Sequence, residues 1–292
     1  NLWVWEIFQL NDSVARIPLL LISLFLSVTC LGMKKVGPLR MQLVAEQNGV
    51  VPGEDFWIGW HIVREKGWHT YWKHPGDVGV APSLEWSIPK GISISELLYC
   101  TPEKVKMASI RANGNYGETL FLCKVSVTDQ VKAGGIITLN ASASWLTCSR
   151  QCLPGFTNLS IELEVVNSRE FDSDWHQKFE QFRSSIPPPL PDHWEPSARL
   201  KGKFIDLKLL NKNNWESSED RPIFFSSNRL ISSDGNQLYK NKEDFLHLRF
   251  ERSPWARKDE KFLSGLLFNE KGWGEGSTSQ YYSIEVPLVS SK

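Results

Sequence analysis

Cys148 and Cys152 stand in the stretch Trp145 to Gly155, Trp-Leu-Thr-Cys-Ser-Arg-Gln-Cys-Leu-Pro-Gly, where two of the chain's five cysteines fall close together. Such a pair could form a bridge, exchange electrons with another disulfide, or offer thiolates to a metal. A disulfide needs Cα atoms about 4.4 to 6.8 Å apart, whereas an extended chain holds residues four apart at about 13 Å. The pair therefore closes only where Ser149, Arg150 and Gln151 bend the chain back. A loop this short and polar is expected at the surface, with the sulfurs near solvent and Arg150 placed to favour a thiolate.

A structural staple is the commoner use of a cysteine pair in a secreted β domain. Chain-entropy stabilisation grows with loop length, so a bridge enclosing three residues is a poor staple and a workable redox switch. Spacing leaves both readings open. No His or Met lies in the loop, and two thiolates do not fill a tetrahedral shell, so neither a metal nor a cofactor is expected. His69 and His74 have no acidic or thiolate partner at helical spacing and read as satisfied or exposed side chains.

The elements that must carry the pair are strands. The chain has 292 residues, which suggests two domains. Its 33 basic and 33 acidic residues cancel, and no basic run favours nucleic acid or an anionic membrane surface as a partner. Thirteen Trp, sixteen Pro and twenty Gly fit an all-β chain rich in turns. Arg16 to Gly32 reads as a secretion signal, so residues 1–32 are set aside as signal peptide and upstream residues. Export to the periplasm is expected, with a lipidated Cys30 as an alternative anchor.

From Met41 onward, alternation places Phe56, Ile58, Trp60 and Ile62 on one core face and Phe121, Cys123, Val125 and Val127 on another, making Cys123 an inert buried thiol. Cys100 to Gly117 reads as a long irregular stretch, which in a compact domain is usually functional. Ile136 to Trp145 is the strand that delivers the cysteines, and Leu159 to Val166 completes a β-sandwich over residues 33–167. Trp175, Phe179 and Phe182 lie at helical spacing, and Ile186 to Pro191 is a stiff connector, so residues 168–197 form a helix and a Pro-rich linker. Residues 198–292 read as a second β-sandwich, with strands at Gly202 to Leu210, Arg221 to Phe225, Asp244 to Arg252, Phe262 to Phe268 and Tyr281 to Val286. That half holds no cysteine, so a positioning or partner-binding role is expected of it.

Gly67-Trp68-His69-Thr70-Tyr71-Trp72-Lys73-His74-Pro75-Gly76-Asp77, then Leu84 to Pro89, Tyr116-Gly117-Glu118, and the Cys148 and Cys152 motif resemble the N-terminal periplasmic region of DsbD-type disulfide reductases, in the variant related to ScsB. The resemblance runs from about Met41 to Val166. It implies an immunoglobulin-like sandwich whose cysteines cycle between dithiol and disulfide. Electrons would come from a thioredoxin-like domain or membrane donor and pass to oxidised periplasmic client proteins. It also implies a cap loop over the sulfurs, which by position is Cys100 to Tyr116, and by analogy Cys152 forms the mixed disulfide while Cys148 resolves it. Two features depart from the pattern. Tyr99-Cys100 stands where relatives tend to have Trp-Pro, giving the cap an extra thiol that is idle, reactive or a third participant. No membrane or thioredoxin-like domain follows, so the donor is expected on a separate chain unless the sequence is a fragment.

Two rival readings remain. A Trp-rich β-sandwich can be a non-catalytic binding module for carbohydrate or protein, with a structural disulfide. A copper-handling role rests only on the relationship to ScsB and on the thiols.

Overall fold

The computed structural model describes residues 32–212, 221–242, 244–274 and 277–290. Residues 1–31, with most of the expected secretion signal and Cys30, lie outside the described residues. From Met33 onward the chain forms one compact unit.

Before the helix come β1 (Lys34–Val36), β2 (Leu39–Ala45), β3 (Gly49–Val50), β4 (Asp55–Arg64), β5 (His69–Tyr71), β6 (Ser83–Ser87), β7 (Ile92–Ile94), β8 (Glu103–Met107), β9 (Ile110–Asn115), β10 (Glu118–Val127), β11 (Ile136–Cys148) and β12 (Cys152–Val165). After α1 (Ser173–Ser184) follow β13 (Trp194–Lys201), β14 (Phe204–Asn211), β15 (Ile223–Ser226), β16 (Leu238–Lys242), β17 (Phe245–Glu251), β18 (Phe262–Phe268) and β19 (Tyr281–Ser290). The architecture is all-β and immunoglobulin-like, as expected.

In the N-terminal region one sheet runs β1-β2-β4-β10-β7 and the other β3-β12-β11-β5-β9-β8, with β6 also paired to β11. Alternation explains the core between them. Phe56, Ile58, Trp60 and Ile62 are buried, and register sets Phe121 opposite Trp60, Cys123 opposite Ile58 and Val125 opposite Phe56. Leu139, Ala141, Ala143 and Trp145 of β11 close the core from the facing sheet. Asp172 caps α1 by accepting the amides of Asp174 and Trp175. The helix lays Phe179 onto Val44, Leu120 and Leu122, on the outer face of the first sheet.

The C-terminal region is one seven-stranded sheet in the order β15-β18-β19-β13-β14-β17-β16. It curls until Phe224, Leu263 and Leu267 meet Leu207, Leu248 and Phe250 in a single core. β13 begins at Trp194, inside the segment read as linker. Pro196 lacks a ladder N–H, and it sits where β13 pairs only β14, because pairing with β19 starts at Ala198.

Cys100 to Gly117 is not an irregular loop. β8 and β9 form a hairpin with Met107 opposite Ile110, and Gly114 of β9 pairs Tyr71 of β5. A Cβ on Gly114 would lie 2.3 Å from the carbonyl oxygen of Thr70, so only glycine allows that approach.

Candidate functional site

β11 and β12 pair along their whole length, and the last pair of the ladder is Cys148 opposite Cys152. Ser149, Arg150 and Gln151 turn the chain, with the Ser149 amide donating to the Gln151 carbonyl at 3.0 Å. The cysteines are joined as a disulfide with Cα atoms 4.1 Å apart, close to the spacing of about 4.5 Å in a non-hydrogen-bonded cross-strand pair.

Parity decides which way the bridge faces. Odd-numbered β11 residues from Ile137 to Trp145 enter the sandwich core, so Cys148 lies on the opposite, outer face. What buries it there is a second, smaller cluster: Tyr71, Val105 and Ala112, flanked by Val78, Met107, Tyr116 and Leu146. Val105 and Met107 of β8 and Ala112 of β9 place the cap hairpin over the sulfurs. Cys148 is fully buried while Cys152 keeps partial exposure. The expectation that both sulfurs lie near solvent is therefore corrected, because a bend in the chain does not by itself expose a residue that a neighbouring hairpin covers.

Tyr71 donates its hydroxyl to Cys148 Sγ at 3.2 Å. Burial, with Tyr116 adding to it, raises the Tyr71 pKa, so the donor keeps its proton. Tyr116 takes part as a wall of the cluster: its ring lies 5.4 Å from that of His69, and its amide donates to Glu103 Oε1 at 2.8 Å.

Arg150 stands in the turn between the two cysteines. It is exposed, and no side-chain hydrogen bond or ion pair of Arg150 is found among the described residues. The buried cation of the site is Arg64, whose Nε and Nη2 donate to Thr70 Oγ1 at 2.9 and 2.6 Å and whose Nη2 also reaches Thr119 Oγ1 at 3.0 Å. Its partners are neutral oxygens, and burial lowers its pKa to about 10. Thr70 pairs Thr147, so Arg64 lies directly behind the end of the ladder.

Cys100 does not join the disulfide cluster. It packs at the edge of the main core and lines a cavity of about 470 Å³ with His61, Glu103, Tyr116, Glu118 and Lys178. Burial pushes its thiol up to about 12 against the opposing pull of Arg64, and Cys123 is likewise held at about 12 by burial. Both are protonated thiols at neutral pH.

The C-terminal region holds the cap from outside. Asp234 Oδ1 accepts the Arg111 amide at 2.9 Å, Ser233 Oγ donates to the Arg111 carbonyl at 2.9 Å, and Tyr281 donates its hydroxyl to the Pro102 carbonyl at 2.9 Å. Beside the cap, Asp77 accepts from Ser232 Oγ at 2.6 Å, the Ser233 amide at 2.9 Å and Ser253 Oγ at 2.8 Å.

Glu46, His176 and Glu180 form a grouping of metal-capable side chains. Arg183 already fills it, donating to Glu46 at 2.6 and 2.7 Å and also bonding Glu180. No helix among the described residues is long and apolar enough to cross a membrane.

The disulfide thus lies across the outer face of an immunoglobulin-type sheet, under a hairpin that hides one sulfur more than the other. Residues 40–163 match the family model described as thiol:disulfide interchange protein DsbD, N-terminal. The crystal structure of the N-terminal periplasmic domain of ScsB from Proteus mirabilis is similar over 87% of this chain and 94% of that one, with TM-score 0.61 and 19% identity. BcpA, the major pilin subunit of Bacillus cereus, aligns with TM-score 0.27 and 10% identity over 87% of this chain and 69% of that one, too slight a likeness to carry weight. No curated protein matches the sequence.

Sequence reasoning missed Tyr71 and His69 as members of the site. Both lie in the Gly67 to Asp77 motif, but only the register of β5 against β11 puts them beside Cys148.

Proposed function

We propose that the domain is a cell-envelope electron carrier. Cys148 and Cys152 accept two electrons from a thioredoxin-like domain or membrane donor on a separate chain, and pass them to oxidised periplasmic proteins. The observation that carries this reading is the placement of the bridge. A staple gains most by tying distant segments together, whereas this one joins residues already paired at the end of a hairpin and lies outside the main core under a cover of its own.

The exposure difference supports Cys152 as the sulfur that forms the mixed disulfide. A partner thiolate approaches Cys152 in line with the bridge, the bond to Cys148 breaks, and Cys148 leaves as a thiolate. The Tyr71 hydroxyl, already on Cys148 Sγ, is placed to stabilise that charge. A second partner thiol then releases the dithiol, and the reverse sequence delivers electrons to a client. For the buried Cys148 sulfur to be reached, the β8–β9 cap has to move. Cys100 and Arg150 take no part in this scheme.

The test is the equilibrium reduction potential of the pair, by thiol trapping in glutathione and dithiothreitol buffers. The expected value lies within the range of working exchange proteins, about −120 to −270 mV. A value below about −300 mV would identify a structural bridge. The Trp-rich binding reading finds no support in the rings: Trp255 is the single exposed Trp among the described residues.

A further inference from the structure

We propose that His69 is the proton acceptor for the Cys148 thiol in the reduced state. The β-sheet sets four side chains in one row. Cys152 is opposite Cys148 on β11, and Cys148 is opposite His69 on β5. Beyond His69, the ring of Tyr116 follows at 5.4 Å. Directly opposed residues have Cβ atoms about 4.5 to 5.5 Å apart and project from the same face, so the imidazole flanks the sulfur on the side away from Cys152.

His69 is fully buried, and neither ring nitrogen has a hydrogen-bond partner among the described residues. A neutral imidazole carries one donor and one acceptor, and buried polar groups are nearly always satisfied. The disulfide explains the vacancy, because a bridged sulfur has no hydrogen to give. Reduction creates an S–H on Cys148 beside the unpaired acceptor, while the edge-on rings of Tyr71 and Tyr116 face the remaining parts of the imidazole at 5.3 and 5.4 Å. The groups that face it are thus Cys148, Tyr71 and Tyr116, with Arg64 behind the ladder and Glu103 at the Tyr116 amide. In the disulfide form burial and Arg64 together lower its pKa to about 4, so it starts as a free base.

The step rests on the redox reading of the pair. With Cys152 in a mixed disulfide, the Cys148 thiol gives its proton to His69. Its sulfur attacks Cys152 Sγ, the Cys148–Cys152 bond forms, and the bond from Cys152 to the partner breaks. The partner sulfur leaves with the electron pair and takes up a proton, and His69 returns its own to solvent. Two electrons and two protons have then left the dithiol for the partner's disulfide.

Cys30→Ser and Cys152→Ser together in the full chain leave Cys148, Cys100 and Cys123 as its thiols, with Cys148 unpaired whatever the potential of the pair. Thiolate absorbance is titrated in this variant with and without His69→Phe. Cys100 and Cys123, held at about 12, stay silent below pH 10. Loss of the imidazole is expected to raise the Cys148 pKa by at least about one unit, a tenfold loss of thiolate at neutral pH. An unchanged titration overturns the proposal. Should His69→Phe fail to fold, NMR titration of the His69 ring in the Cys30→Ser, Cys152→Ser variant and in the disulfide form decides the matter. The ring pKa is expected to be higher beside the free thiol, and equal values overturn the pairing. Failure of the pair to reduce would sink the carrier reading and leave this result standing, so the two are separable.

Discussion

The two β regions of this chain build their cores by the same alternation but treat their outer sheet faces differently. In the C-terminal region the outer face of β14 and β17 is polar, with Asp206 held by Arg249 at 2.6 and 2.9 Å and by His247 at 3.1 Å. In the N-terminal region both outer faces are covered, one by α1 and the other by the β8–β9 hairpin. A covered outer face creates a second apolar layer, and there a bridge can be hidden yet lie one movable element from solvent. The C-terminal region supplies no cysteine, but its loop at Ser232 to Asn236 grips that element.

The largest effect is expected where the regions join. Asp77 accepts three strong hydrogen bonds from Ser232, Ser233 and Ser253. Hydrogen bonds to a charged group contribute about 1.5 to 3 kcal/mol each and do not add fully, so Asp77→Ala is expected to cost about 3 to 5 kcal/mol. Reduction of the disulfide by dithiothreitol should quicken in the same variant, since the loop that holds Arg111 loses its anchor. Unchanged reduction with lowered stability would show that the C-terminal region braces the fold without restraining the cap.

Acid should separate the regions by pH window. His69 has a folded pKa of about 4 against an ordinary 6.5. A lowered folded pKa means that the unfolded chain binds the proton first. Stability is whole above pH 6.5 and falls toward pH 4, by about 3 kcal/mol for this residue. His74, also held near 4 by burial and Lys73, adds in the same direction. Asp206 has a folded pKa of about 2, set chiefly by its bonds to Arg249. Its contribution of about 2 kcal/mol is whole above about pH 4 and disappears as pH falls toward 2. Urea midpoints should therefore drop in two steps, the upper reduced in His69→Phe and the lower in Asp206→Asn. A single step abolished by either variant would contradict the separation.

Much of the frame was legible from single strands. Alternate residues of β4 and β10 mark the core face, Phe56, Ile58, Trp60 and Ile62 on one and Phe121, Cys123, Val125 and Val127 on the other, and the ends of the strand Phe262–Phe268 follow from its sequence. The cysteine pair was legible from spacing alone. The cap was not, because Val105 and Ala112 are buried only by the disulfide cluster, and no local pattern announces a partner that lies elsewhere in the chain. The choice of cation failed for a related reason. Arg150 is adjacent to the cysteines in sequence, whereas Arg64 arrives at the end of β4 and reaches the ladder through Thr70 and Thr119. At helical spacing His69 has no partner, and its relevant neighbour, Cys148, lies across a strand.

The smallest effect sharpens the comparison most. Ala108 turns the cap hairpin with φ of 54°, the single positive value at a non-glycine residue among those described. The left-handed region costs an L-residue about 1 to 2 kcal/mol, while a glycine carries about 0.5 to 1 kcal/mol of extra chain entropy. Ala108→Gly should therefore stabilise the hairpin by up to about 1 kcal/mol, a factor of about five in its closed population. Ala108 is exposed and stands outside the cluster around the disulfide, so it reports on the cap. If the cap gates the sulfurs, exchange of the Val105 and Ala112 amides and reduction of the disulfide should slow by the same factor. If the amides slow and the disulfide does not, partners reach Cys152 past a closed cap, and the second covered face is a support for the bridge and not its door.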